Sequence, residues 1–87
     1  MNGKVDFSKI VIKNITGTND KADIRQLFGN MLYMQGVNIE ECELGTAIYH
    51  QKEGEPIELT KEQADIVKRY AERLPYVMRT GIISALK

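Results

Sequence analysis

The chain has 87 residues, enough for a single domain spanning 1–87 and too few for a second. Apolar residues make up 43% and charged residues 28%, near the averages of soluble globular chains, so disorder is not the default. The net charge of zero excludes the overall basic excess of a dedicated nucleic-acid binder.

The charge is nevertheless uneven: residues 1–39 carry +2, residues 40–58 carry −5 and residues 59–87 carry +3. A chain of this length buries only about 60–65% of its unfolded surface, so stability shared with a partner, as in a homodimer, is expected. Cys42 is the only cysteine, which leaves no intramolecular disulfide and too few thiols for a cysteine-based zinc site. A reducing, cytoplasmic setting follows as the expectation. The opening Met1-Asn-Gly-Lys-Val-Asp6 lacks the apolar region of a secretory signal. No apolar run approaches the ~20 residues that a membrane span needs, so no membrane partner is expected.

Residues 7–15 are β-branched and alternate, with Phe7, Val11 and Ile15 on one face and Ile10 and Ile12 on the other. They predict a strand. Thr16 to Asp20 forms a turn, and a second short strand over 21–25 competes with the helix that follows. That helix is the strongest periodic signal: Ile24, Leu27, Phe28, Met31 and Leu32 lay one apolar stripe. Asp20 or Asp23 is available to accept its first amides, and Gly36 to end it in a left-handed conformation. Gly29 within it costs about 1 kcal/mol against alanine, which points to close packing there.

Asn38 and Glu41 have the form of a capping box opening a helix over 39–50, with Leu44, Ala47, Ile48 and Cys42 inward. Glu40, Glu41 and Glu43 complement its dipole. Residues 52–56 break the helix, and 57–59 are short and extended after Pro56. Thr60 and Gln63 form a second capping box for a helix through Leu74, with Ala64, Val67, Tyr70, Ala71 and Leu74 buried. Pro75 stops it or starts the next as an N-terminal proline, and residues 76–86 form a last helix with Val77, Met78, Ile82, Ala85 and Leu86 apolar. The fold class is therefore α+β, mostly α, with about four helices and a short N-terminal strand or hairpin.

No catalytic, metal-binding or cofactor-binding residue can be assigned. His50, the sole histidine, lacks recognisable partners and reads as a partly exposed residue at a helix end. Cys42 lies eight residues from it on one helix, about 12 Å away and beyond hydrogen-bond reach. The acidic group Glu40, Glu41, Glu43, Glu53, Glu55 and Glu58 lacks the pattern of a calcium loop. It reads as a solvated face or a docking patch for a basic partner. Lys68, Arg69, Arg73 and Arg79 are the candidate contacts for a partner or for nucleic acid, with Lys61 and Lys87 also basic. Asp65 and Glu72 interrupt them, and an Asp65–Arg69 pair adds a few tenths of a kcal/mol, about what such helix pairs contribute. A helix–Leu74-Pro75-Tyr76–helix arrangement suggests a DNA reader, but the second helix offers only Arg79, Thr80, Ser84 and Lys87, with no asparagine or glutamine for adenine. Met31, Met34 and Met78 with Tyr33, Tyr49, Tyr70 and Tyr76 belong either to the core or to an adaptable binding surface, a choice that burial decides.

Leu27-Phe-Gly-Asn-Met-Leu-Tyr33, Leu44-Gly-Thr-Ala-Ile-Tyr49, Pro56-Ile-Glu-Leu-Thr-Lys-Glu-Gln63 and Leu74-Pro-Tyr-Val77, leading to Ala85-Leu86, together resemble small bacteriophage and prophage proteins of unknown function. The resemblance covers about two-thirds of the chain and implies a bacterial cytoplasmic setting and a role in phage biology. Taken together, the residues point to a non-enzymatic protein-binding or regulatory module that self-associates. Nucleic-acid binding through the C-terminal basic helices is the alternative.

Overall fold

The structure, a computed structural model, describes residues 3–86. Among them the elements run β1 (Gly3–Val5), β2 (Ile10–Lys13), β3 (Asn19–Ala22), α1 (Arg25–Gln35), α2 (Ile39–Tyr49), β4 (Ile57–Leu59), α3 (Lys61–Ala71) and α4 (Tyr76–Ala85). The chain is thus α+β and mostly α, as expected. Two antiparallel pairs form: β2 with β3, bringing Ile10 opposite Ala22, and β1 with β4, bringing Val5 opposite Ile57.

The strand expected over 7–15 is cut to four residues by local hydrogen bonding at both ends. Asp6 Oδ1 accepts from the backbone amide of Ser8 at 2.9 Å and from its hydroxyl at 2.5 Å, turning the chain before β2. Beyond β2, Asn14 Oδ1 accepts from the Thr16 amide at 3.0 Å, and Gly17 closes the turn at φ +90°. Phe7 leaves the strand but stays fully buried, its ring stacked on Phe28 at 5.7 Å between centroids. Ile10 faces the core, whereas Val11 and Ile15 face solvent.

Helix α1 buries Ile24, Phe28 and Leu32 against this layer, as the stripe predicts, but Leu27 points to solvent. No side chain caps the N-cap residue Ile24; Asp23 Oδ1 instead accepts from the Arg25 amide at 3.1 Å. Gly36 is not left-handed: it is extended, at φ −60° and ψ 135°. A Cβ there would lie 2.6 Å from the Leu32 carbonyl oxygen, so glycine is present for space rather than for handedness. In α3 the capping box is complete, with Gln63 N donating to Thr60 Oγ1 at 3.2 Å and Thr60 N to Gln63 Oε1 at 2.9 Å. The regular helix ends at Ala71, one turn short of Leu74. Val67, Tyr70 and Ala71 are buried, and Ala64 and Leu74 only partly so.

The core gathers Val5, Phe7, Ile10, Phe28, Leu32, Leu44, Ile48, Leu59, Val67 and Ile82 from every layer. Its tightest joint is the crossing of α1 and α2. A Cβ on Gly29 would meet the Gly45 carbonyl oxygen at 2.8 Å, and a Cβ on Gly45 would meet the Gly29 carbonyl oxygen at 2.6 Å. The two backbones touch with nothing between them.

Intrinsic propensity alone would reward alanine in either helix by about 1 kcal/mol. The neighbours here are backbone atoms, which cannot rotate away, and overpacking of this kind costs about 1–3 kcal/mol. Gly29→Ala and Gly45→Ala are therefore each expected to lower the midpoint of urea unfolding; an unchanged or raised midpoint would contradict the crossing.

Candidate functional site

The connection between α1 and α2 is held from inside by a buried carboxylate. Asn38 caps α2, its Oδ1 accepting from the Glu41 amide at 2.9 Å. The reciprocal half of the expected box shifts by one residue, because Glu41 Oε1 accepts from the Val37 amide at 3.3 Å. Glu41 is not on the solvated acidic face: it is only 2% exposed. Its Oε2 accepts from Arg69 Nη2 at 2.7 Å, and the Tyr70 hydroxyl donates to its Oε1. The Gln35 carbonyl lies 3.1 Å from the same hydroxyl, so one phenol bridges the end of α1 and the start of α2. Tyr70 holds the Glu41 carboxyl below its ordinary range, helped by the Val37 amide and Arg69 and opposed by burial. The same hydrogen bond, with burial, pushes the Tyr70 phenol up.

This clasp takes up part of the basic set. Arg69 pairs with Glu41 instead of the expected Asp65. Arg73 donates to Gln35 Oε1 at 2.5 Å and lies 4.6 Å over the Tyr70 ring. Arg79 stacks on Tyr76 at 5.3 Å. Lys68 is exposed on α3. Arg69 and Arg73 thus lock α3 to the α1–α2 turn, and Lys87 lies outside the described residues. His50 is exposed as the C-cap of α2, edge-on to Tyr49. Cys42 faces α1, its thiol 3.5 Å from the Tyr33 carbonyl. Among the described residues, no group of three or more His, Cys, Asp or Glu is placed to hold a metal ion. No helix there is long and apolar enough to cross a membrane.

A second buried polar residue, Gln51, escaped sequence reading. Its Oε1 accepts from the Phe7 amide at 3.2 Å, and its Nε2 donates to the Glu55 carbonyl at 2.8 Å. Its own carbonyl accepts from Arg25 Nη1 at 2.7 Å. Gln51 joins the β1–β2 turn, the α1 start and the 52–56 loop, a structural role with its polar atoms satisfied.

The large apolar side chains left open to solvent are concentrated. Six of the ten exposed large hydrophobic residues lie on the α1–α2 hairpin: Leu27, Tyr33, Met34, Val37, Ile39 and Tyr49. Met34 is 77%, Val37 85% and Ile39 69% exposed. Between the helices a shallow groove of about 180 Å³ opens over the glycine crossing, lined by Gly29, Asn30, Tyr33, Gly45, Thr46, Tyr49 and His50. Neither the groove nor the stretch 26–39 contains Asp, Glu, Lys or Arg. At the chain's 28% charged content those fourteen residues would carry about four charges. That charge-free run was the signal available in the sequence, masked there by the helical stripe it overlaps. Burial also sorts the methionines and tyrosines: Tyr70 is core, Met31 and Met78 are half-buried, and Tyr33, Met34, Tyr49 and Tyr76 are exposed.

Glu41→Gln is expected to destabilise the protein by about 1–2 kcal/mol at neutral pH, since Arg69 and Tyr70 lose their charged acceptor. Because the folded carboxyl titrates below its ordinary 4.5, the unfolded chain takes up the proton first on acidification. Wild-type stability is complete above that value and declines as the pH falls through the folded one. Denaturant melts between pH 7 and pH 3 should show a shallower decline in the variant. No protein-family model, curated protein or solved structure matches this chain.

Proposed function

We propose that the chain is a non-enzymatic protein-binding module that self-associates through the outer face of the α1–α2 hairpin. The observation that carries this reading is the set of exposed apolar side chains Tyr33, Met34, Val37, Ile39 and Tyr49 on a hairpin whose residues 26–39 carry no charge. Charged residues are depleted, and tyrosine and methionine enriched, at the centres of protein interfaces. In a two-fold contact the side chains near the axis meet their own copies, so a charge there would meet a like charge. A face without charges is free of that penalty. A partner helix can also approach closely, because the groove floor is two glycines rather than side chains.

Nucleic-acid binding through Lys68, Arg69, Arg73 and Arg79 is less well supported, since Arg69 and Arg73 already serve the clasp and Asp65 and Glu72 interrupt the row. The phage setting rests on the resemblance of residues 27–33, 44–49, 56–63 and 74–77. A cytoplasmic location fits the free Cys42 thiol.

Sedimentation equilibrium across about 1–100 μM is expected to give a species of twice the 9.9 kDa chain mass. The double variant Tyr33→Glu, Met34→Glu places two like charges on each copy and should return the monomer with its helical circular dichroism unchanged. A strict monomer for the unmodified chain over that range would remove the proposal.

A further inference from the structure

The opposite side of α2 carries a different surface. Glu40, Glu43, Leu44 and Ala47 from α2 face Thr60, Glu62, Gln63 and Ile66 at the start of α3 across a groove of about 470 Å³. Its floor is aliphatic: Leu44, Ala47 and Ile66. Its rim holds three carboxylates, and no lysine or arginine lines it. Among the described residues, none of Glu40, Glu43 and Glu62 forms an ion pair or side-chain hydrogen bond. The contrast with Glu41 is direct: one helical position away, the chain supplies Arg69 as a counter-ion.

We infer that this groove docks an amphipathic helical segment of a partner protein, one that sets lysine or arginine beside aliphatic side chains. An aliphatic floor takes apolar side chains by removing them from water. The uncompensated rim selects among apolar segments by charge, attracting basic ones and repelling acidic ones. Residues 40 to 47 advance about 10 Å along the helix axis, so the matched segment spans about two turns. Its anchors would then recur at the i, i+3, i+4 and i+7 spacing by which helices lie in apolar grooves. The inference stands apart from self-association. Gly45, Thr46 and Tyr49 face the hairpin groove, whereas Glu40, Glu43 and Ala47 face this one, so both surfaces can be occupied together.

The test is an amide-resolved NMR titration of the full chain with a designed 15-residue helical peptide bearing a leucine stripe flanked by lysines. Saturable shifts at Glu40, Glu43, Ala47, Gln63 and Ile66 are expected. The variant Glu40→Gln, Glu43→Gln, Glu62→Gln should weaken binding about tenfold, the combined effect of three partly exposed ion pairs. Ala47→Lys, which fills the floor and offsets one of the three rim charges, should abolish the shifts while leaving the thermal melt unchanged. A peptide with glutamates replacing the lysines should not bind. Equal binding by a peptide of the same composition without the stripe would overturn the proposal, since charge alone would then suffice. So would shifts confined to the hairpin face, an absence of saturable binding, or shifts at Glu40, Glu43, Ala47 and Ile66 on raising the protein concentration alone, which would assign the groove to a second copy. Repeating the titration on the Tyr33→Glu, Met34→Glu variant separates this outcome from the fate of self-association.

Discussion

The backbone contact of Gly29 with Gly45 is the constraint from which much of the architecture follows. With no Cβ on either side, α1 and α2 approach until carbonyl oxygens sit where side chains would otherwise be. Residues flanking the contact must then leave the crossing in one of two directions. Phe28, Leu32, Leu44 and Ile48 turn inward and complete the core with Phe7 and Val67. Tyr33 and Tyr49 turn outward and flank a glycine-floored groove. One steric fact thus produces both a buried face and an exposed apolar one.

The crossing needs a fixed turn, and the turn is where the protein buries charge. A three-residue connection leaves the last carbonyls of α1 and the first amides of α2 needing partners within a few ångströms. Asn38 takes one amide, Glu41 another from Val37, and Tyr70 reaches the Gln35 carbonyl from α3. A carboxylate so placed would be costly alone. Here it accepts from a phenol, a guanidinium and an amide together, which lets α3 dock without a large apolar contact against α2. Near Leu44 and Ile66, α2 and α3 flank a groove in place of a packed seam.

How much of this could be read from the residues depends on the range of the interaction. Helices α2, α3 and α4 and the Thr60–Gln63 box follow from spacing and local capping, and the structure carries all of them. Several of the readings that failed concern residues whose partners lie far along the chain. Glu41 looks like first-turn decoration until Arg69 and Tyr70, 28 and 29 residues away, arrive beside it. Leu27 fits the apolar stripe, yet the side of α1 it occupies has no layer above it. Strand β1 is three residues long and exists because β4, more than fifty residues later, supplies its ladder. Gly36 illustrates the limit of residue-type rules: glycine at a helix end suggests a left-handed turn, but the pressure here is the nearby Leu32 carbonyl.

The two candidate surfaces differ in a way that bears on what each can recognise. The hairpin face has no charge and offers aromatic and thioether groups, which suits contact with an identical surface. The α2–α3 groove has three carboxylates without local counter-ions around an aliphatic floor, which suits contact with something unlike itself. Two copies could not meet through the second surface face to face, because six carboxylates would converge at an interface of modest size. A helix whose inward third holds the core and whose two remaining sides present opposite recognition chemistries is an economical way for 87 residues to connect a copy of themselves to another protein. The uneven charge of the chain has the same origin: the acidity of residues 40–58 is carried outside the uncharged hairpin face, and the carboxylates on the open side of α2 are left without internal cations.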